Sequence, residues 1–183
     1  MSSPDQQQVY FTDEMRYGTR THSKQRWTVQ GDRPVCPVHI GYQWGYLYVA
    51  LCPFSGDIFS MLFTHLDKAC FACFLEHLQT HLRKHQRLLN EVLLIGDGAT
   101  AHTAQDWTDV ANLVWKKLPT ACPELNPVER FFQELRRKTS NRVFTKKEEV
   151  EKLLSNLMQE YMNQPEKVCS LTLFPYIKSS SFN

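Results

Sequence analysis

Residues 118–129 read Leu118-Pro119-Thr120-Ala121-Cys122-Pro123-Glu124-Leu125-Asn126-Pro127-Val128-Glu129. Pro119 to Leu125 has the composition of a loop. Asn126 offers a side-chain oxygen suited to an N-cap. Pro127 suits the first helical position, where a backbone N–H has no partner in any case. A helix therefore opens here, and Phe131, Phe132 and Leu135 give it an apolar face. Glu129 falls in its first turn and admits two roles. It fits a capping box, Asn126-x-x-Glu129, in which the carboxylate bonds back to the cap residue. It is equally placed to act as a ligand at the edge of whatever the helix packs on.

Upstream, Leu113 to Leu118 reads as a strand and Thr103 to Asn112 as a short helix. Glu91 to Ile95 is a compact apolar strand ending at Gly96-Asp97-Gly98. From Asp67 the apolar period becomes helical, with Phe71, Phe74, Leu75, Leu78 and Leu82 on one face. Val38 to Leu51 and Ile58 to Phe63 favour strand and flank a turn at Pro53, Ser55 and Gly56, so 38–63 is expected as an antiparallel hairpin. Residues 16–34 are polar and basic and close with Gly31 and Pro34. Val9 to Phe11 is a short strand ending at Thr12 and Asp13. Downstream, Lys146 to Met162 is a last helix with Val150, Leu153, Leu154 and Leu157 inward. Residues 1–8 are expected to be a flexible leader, 9–177 one domain, and the Ser-rich 178–183 a frayed tail. The fold class is α/β: a mixed sheet of three antiparallel strands and then parallel strands, flanked by helices. That is the element order of the ribonuclease H-like fold.

The chain has 183 residues, 42% hydrophobic, which suits one domain with a sizeable core. Lys and Arg number 21 against 19 Asp and Glu, a net charge of +2 that by itself implies no polyanionic partner. No apolar run approaches the ~20 residues that span a bilayer, and the polar N-terminus lacks a signal peptide's apolar stretch, so a cytoplasmic location is expected. The six cysteines are expected to be reduced thiols. Gly96-Asp97-Gly98 is no dinucleotide fingerprint, and no Walker-type loop is present. Cys70, Cys73, His77 and His81 share a helical face but spread over about 16 Å, too far to ligate one zinc.

Three carboxylates remain. Asp13 and Asp97 stand at strand ends, and Glu129 stands on a helix that can pack there. Such a cluster disfavours joint ionisation unless cations fill it. Mg²⁺ takes oxygen ligands, and two ions about 3.5–4 Å apart can clamp an in-line displacement at phosphorus. Glu14, next to Asp13, would point to the opposite face of the strand.

Here the sequence resembles a known family, the bacterial insertion-sequence branch of the mariner-type transposases, in the wider Asp-Asp-Glu superfamily. Thr12-Asp13-Glu14 resembles that family's first catalytic segment. Arg26-Trp27 with Gly31 and Pro34 is similar to its next. Leu94-Ile95-Gly96-Asp97 with His102 is similar to its second, and Pro123 to Glu129 matches the run that ends in its catalytic Glu. Two departures are visible. Gly98 stands where the family has Asn, and the spacing from Asp97 to Glu129 is a few residues shorter.

The resemblance implies a ribonuclease H-like catalytic domain, with Asp13, Asp97 and Glu129 holding two Mg²⁺ (or Mn²⁺). It implies DNA cleavage at element ends and strand transfer into a TA target. The implied partners are double-stranded DNA, a second copy as a homodimer on DNA, and a helix-turn-helix polypeptide in trans or by frame fusion. A bacterial, nucleoid-associated setting follows.

Candidate nucleic-acid contacts are Arg26, Trp27, His102, Arg130, Arg136, Arg137, Lys138 and Arg142. The run from Arg136 to Lys147 contains no acid, which suits either a solvated face or a phosphate-binding stripe. Arg16, Arg20, Lys24 and Arg33 could line its other side. Trp27 is either core or a stacking surface, and His102 either structural or a phosphate contact. Two other classes stay open: a decayed or domesticated DNA-binding module without catalysis, and a ribonuclease H or junction nuclease. Ribonuclease H uses a further Glu on its first helix, and Glu76 faces away from the apolar stripe.

Overall fold

The computed structural model describes residues 8–25, 27–33, 35–85, 91–97 and 112–179. Five strands form one sheet: β1 Val9–Gly18, β2 Trp44–Leu51, β3 Ile58–Phe63, β4 Val92–Gly96 and β5 Leu113–Lys117. Their spatial order is β3-β2-β1-β4-β5. The first three pair antiparallel, while β4 and β5 join in parallel, so the mixed α/β sheet is present as expected. Helices α1 Lys68–Lys84, α2 Pro127–Thr139, α3 Lys147–Met162, α4 Pro165–Thr172 and α5 Pro175–Ser179 cover it.

Strand alternation divides the core in two. Val9, Phe11, Met15 and Tyr17 face α2, α3, α4 and α5, packing with Val128, Phe131, Leu135, Leu154 and Ile177. Tyr10, Tyr48, Ala50 and Leu94 face α1. The side of α1 that meets them is the stripe of Phe71, Phe74, Leu75, Leu78 and Leu82, all buried. Asp67 caps this helix by accepting a bond from the Cys70 N–H at 2.8 Å.

Several boundaries differ from expectation, and cross-strand pairing explains most of them. β1 does not stop at Asp13 but runs five residues further, because Asp13 to Gly18 keep partners from Val49 to Trp44 on β2. β2 begins at Trp44 rather than Val38. Val38, Ile40 and Tyr42 lie exposed outside the sheet. Helix α5 takes in Lys178 and Ser179, because Ile177 is buried beneath it. The expected helix at 103–112 lies outside the described residues except for Asn112, which forms a turn at φ 72°.

Turn 53–57 between β2 and β3 docks on α4 through Gly56. That residue has φ +70°, and a Cβ there would collide with the Pro165 carbonyl, so only glycine fits. Among the described residues, no helix is long and apolar enough to cross a membrane.

Candidate active site

Asp13 sits mid-strand on β1, on the face that meets α2. Its parallel pairing with β4 ends at Phe11 opposite Ile95. Continuing that register by two residues on each strand sets Asp13 beside Asp97, immediately after β4. The Leu118 N–H bonds to the Gly96 carbonyl at 2.8 Å, which carries the β5 loop to the same edge. Asp13, Asp97 and Glu129 consequently line one cleft of about 270 Å³, walled by Lys117 to Pro123 and Asn126. Glu14 points to the other face, where its charge acts on Tyr48.

Asn126 builds this cleft and is only 3% exposed. Its Oδ1 accepts from the Val128 N–H at 3.2 Å, which is the expected N-cap. Its Nδ2 donates to the Thr12 carbonyl at 3.1 Å and to Asp13 Oδ2 at 3.4 Å. One amide therefore starts α2, ties it to β1 and orients Asp13. The capping box does not form. The Asn126 N–H goes to the Pro123 carbonyl at 2.9 Å, so the Glu129 carboxylate is not needed there. Glu129 instead faces Arg136, one Nη1 lying 3.7 Å from Oε2, with the two side chains 34% and 48% exposed. An exposed pair at that distance is worth about 0–1 kcal/mol and breaks easily.

Electrostatically the cleft is unfavourable without a cation. Burial pushes the Asp13 carboxyl up to about 7, against the Glu14 N–H, which bonds Oδ1 and pulls the other way. The charges of Glu14, Glu129 and Asp97 add to the rise. Among the described residues, no three His, Cys, Asp or Glu side chains close on a common point near enough to hold one ion.

The basic run is less free than its sequence suggests. Arg137 forms a bidentate pair with Glu134, both bonds 2.7 Å. Lys138 lies 3.5 Å from Glu160 and over the Tyr161 ring. Lys147 pairs with Glu151 at 3.2 Å. Arg130 is exposed and bonds Gln133. Arg136 and Arg142 instead turn to a second pocket, where Arg16, Arg20 and His22 join them. Sequence reasoning did not single out His22 or Trp44 there, and no local pattern could have joined residue 20 to residue 142. Trp27 is fully exposed, 103%, so it is not a core residue. Arg26, Pro34, Gly98 and His102 lie outside the described residues.

On the α1 face, the four residues considered for zinc are dispersed. Cys73 and His77 contact each other at 3.6 Å, while His81 pairs with Asp57 at 3.2 Å. None of the six cysteines forms a disulfide. Glu76 is exposed.

Residues 8–151 match the family described as DDE superfamily endonuclease. The chain is 28% identical over 134 residues to the uncharacterized protein y4pE/y4sA of Sinorhizobium fredii, covering 71% of this chain and 94% of that protein. Among solved structures, it resembles the Mos1 mariner paired end complex with Mn. The TM-score is 0.69 at 18% identity, covering 91% of this chain and 54% of that one. It also resembles the catalytic domain of Mos1 mariner transposase, with a TM-score of 0.61 at 15% identity over 90% of this chain and 78% of that one. At these identities the likeness establishes the fold, which is that of a ribonuclease H-like transposase catalytic domain. The chain spans about half the length of the Mos1 chains in the paired-end complexes.

Proposed function

Because the chain belongs to the DDE superfamily endonuclease family, we propose that it is the catalytic domain of a DNA transposase. In this proposal it cleaves phosphodiesters at element ends and joins the freed 3′-hydroxyl to target DNA. One observation carries the proposal: Asp13, Asp97 and Glu129 reach a single cleft from three separate elements. The donors are all carboxylate oxygens, the ligand type that Mg²⁺ and Mn²⁺ prefer. The charges of Glu129 and Asp97 add to the cost of ionising Asp13, and a divalent cation would relieve it. The residues therefore suit the metals named for the Mos1 structures.

Asp13, Asp97 and Glu129 would hold a pair of such ions. Bound there, the ions would supply Lewis-acid stabilisation to both the attacking and the leaving oxygen at phosphorus. The chain's own residues do the positioning. Asn126 fixes the rotamer of Asp13 and the start of α2 together, so it sets Glu129 relative to Asp13. Asp13 must be ionised to act as a ligand, which its elevated pKa permits from about pH 7 upward. Glu129 must leave Arg136, a weak partner. Double-stranded DNA is the proposed substrate, acted on by two copies of the chain, with a DNA-binding helix-turn-helix module supplied by the same or another polypeptide.

Supercoiled plasmid tests this. In Mn²⁺ or Mg²⁺ the protein is expected to nick it and leave 3′-hydroxyl ends, whereas EDTA should stop the reaction. A protein that binds the plasmid, neither nicks it in any divalent ion nor gives a heat of Mn²⁺ binding, is not this enzyme.

A further inference from the structure

A second pocket, about 490 Å³ against about 270 Å³, lies beside the carboxylate cleft. The far end of β1, the start of β2, the last turn of α2 and α3 enclose it. Arg16, Arg20, His22, Arg136 and Arg142 line it, and no acidic residue does. Among the described residues, neither Arg20 nor Arg142 has a carboxylate partner, although Arg137, Lys138 and Lys147 nearby all do. Apart from Arg136, which faces Glu129 at 3.7 Å, the arginines of this pocket repel one another, and an anion relieves that repulsion.

The pocket also offers a π-surface. Trp44 is 46% exposed, and the Arg16 guanidinium lies over its ring at 4.5 Å, holding the indole in place from one side. Arginines that can take a phosphate, beside an aromatic ring that can take a base, are the two components of single-strand recognition. The volume is that of a small-ligand site, enough for about one nucleotide, whereas a duplex could only lie across the mouth.

We propose that this pocket is a subsite for one unpaired nucleotide of a DNA strand, its phosphate on Arg20 and Arg142 and its base against Trp44. Arg136 lines the pocket while facing Glu129, so the subsite shares a wall with the carboxylate cleft. A strand cut in the cleft would thus run directly into it. The proposal rests on the chain being a DNA-acting enzyme, but it requires no metal.

The test is fluorescence anisotropy with a labelled twelve-residue oligothymidylate in EDTA, against a duplex of the same length. Wild-type protein is expected to bind the single strand. The Arg20→Gln/Arg142→Gln double variant should bind at least about tenfold more weakly, with a salt slope shallower by roughly one to two. Trp44→Ala should weaken single-strand binding by about tenfold and leave duplex binding unchanged. All three positions are exposed, so circular dichroism and a melting curve should match wild type. Unchanged single-strand affinity in these folded variants overturns the proposal, as does an equal loss of duplex binding in Trp44→Ala. Because EDTA removes catalysis, a failed plasmid assay and a failed subsite are separate results.

Discussion

Asp13→Asn is expected to make the protein more stable at pH 8 while reducing DNA cleavage by on the order of 10³-fold or more. The stability effect follows from the direction of the pKa change. Asp13 is held at about 7 in the folded chain against an ordinary 3.8. Below about pH 4 the group is protonated in both states and contributes nothing. Between 4 and 7 the unfolded chain releases the proton and the folded chain retains it, so stability falls as pH rises. Above 7 the folded state carries the whole penalty. At about 1.4 kcal/mol per pH unit this is at most ~4 kcal/mol, and solvent in the cleft reduces the expected gain to about 2 kcal/mol. Asn keeps the shape of the side chain and removes the charge. Urea unfolding at pH 4 and pH 8 reads the difference. A gain that appears only at the higher pH is the expected pattern, and equal stability of the two proteins at pH 8 would refute it. Loss of function with gain of stability is the mark of a group kept for chemistry rather than folding.

Phe131→Ala is expected to cost about 3–5 kcal/mol, the usual range for emptying a fully packed phenylalanine site. The ring is completely buried and meets Tyr161 edge-on, with centroids 4.9 Å apart. That contact joins α2 to α3 on the sheet face where Asp13 lies. The melting temperature should fall by roughly 10 °C, and divalent-ion affinity should fall with it, because α2 carries Glu129. A loss under about 1 kcal/mol would mean that the neighbouring side chains collapse into the space.

The sequence made the long elements legible. The α1 stripe is five residues deep at helical spacing, and the structure buries those same five. Asn126 and Pro127 mark the start of α2 by chemistry that is local to the chain. What stayed hidden depends on partners distant in sequence. The length of β1 is set by β2, some thirty residues away, so Asp13 could be found but not placed mid-strand. Glu129 looked like half of a capping box, and only the Pro123 carbonyl, by taking the Asn126 N–H, removes that role. In the basic run, Glu160 neutralises Lys138 from another helix, whereas Glu134 and Glu151 neutralise Arg137 and Lys147 from three and four residues away on the same helix, spacings that the sequence does display. Helices α4 and α5 are too short for an apolar period to register.

Arg136 has one guanidinium and two neighbours that want it, Glu129 on one side and the basic pocket on the other. A cation entering the cleft would release the guanidinium, and a phosphate drawing the guanidinium away would release the carboxylate. Metal and strand are then reciprocally linked, each raising the other's affinity by the same factor. Mn²⁺ titrations with and without oligothymidylate should differ, and Arg136→Gln should abolish the difference; identical titrations of the original protein would show that no linkage exists. Because the Glu129–Arg136 pair is worth about 0–1 kcal/mol, the expected linkage is at most about fivefold in either affinity.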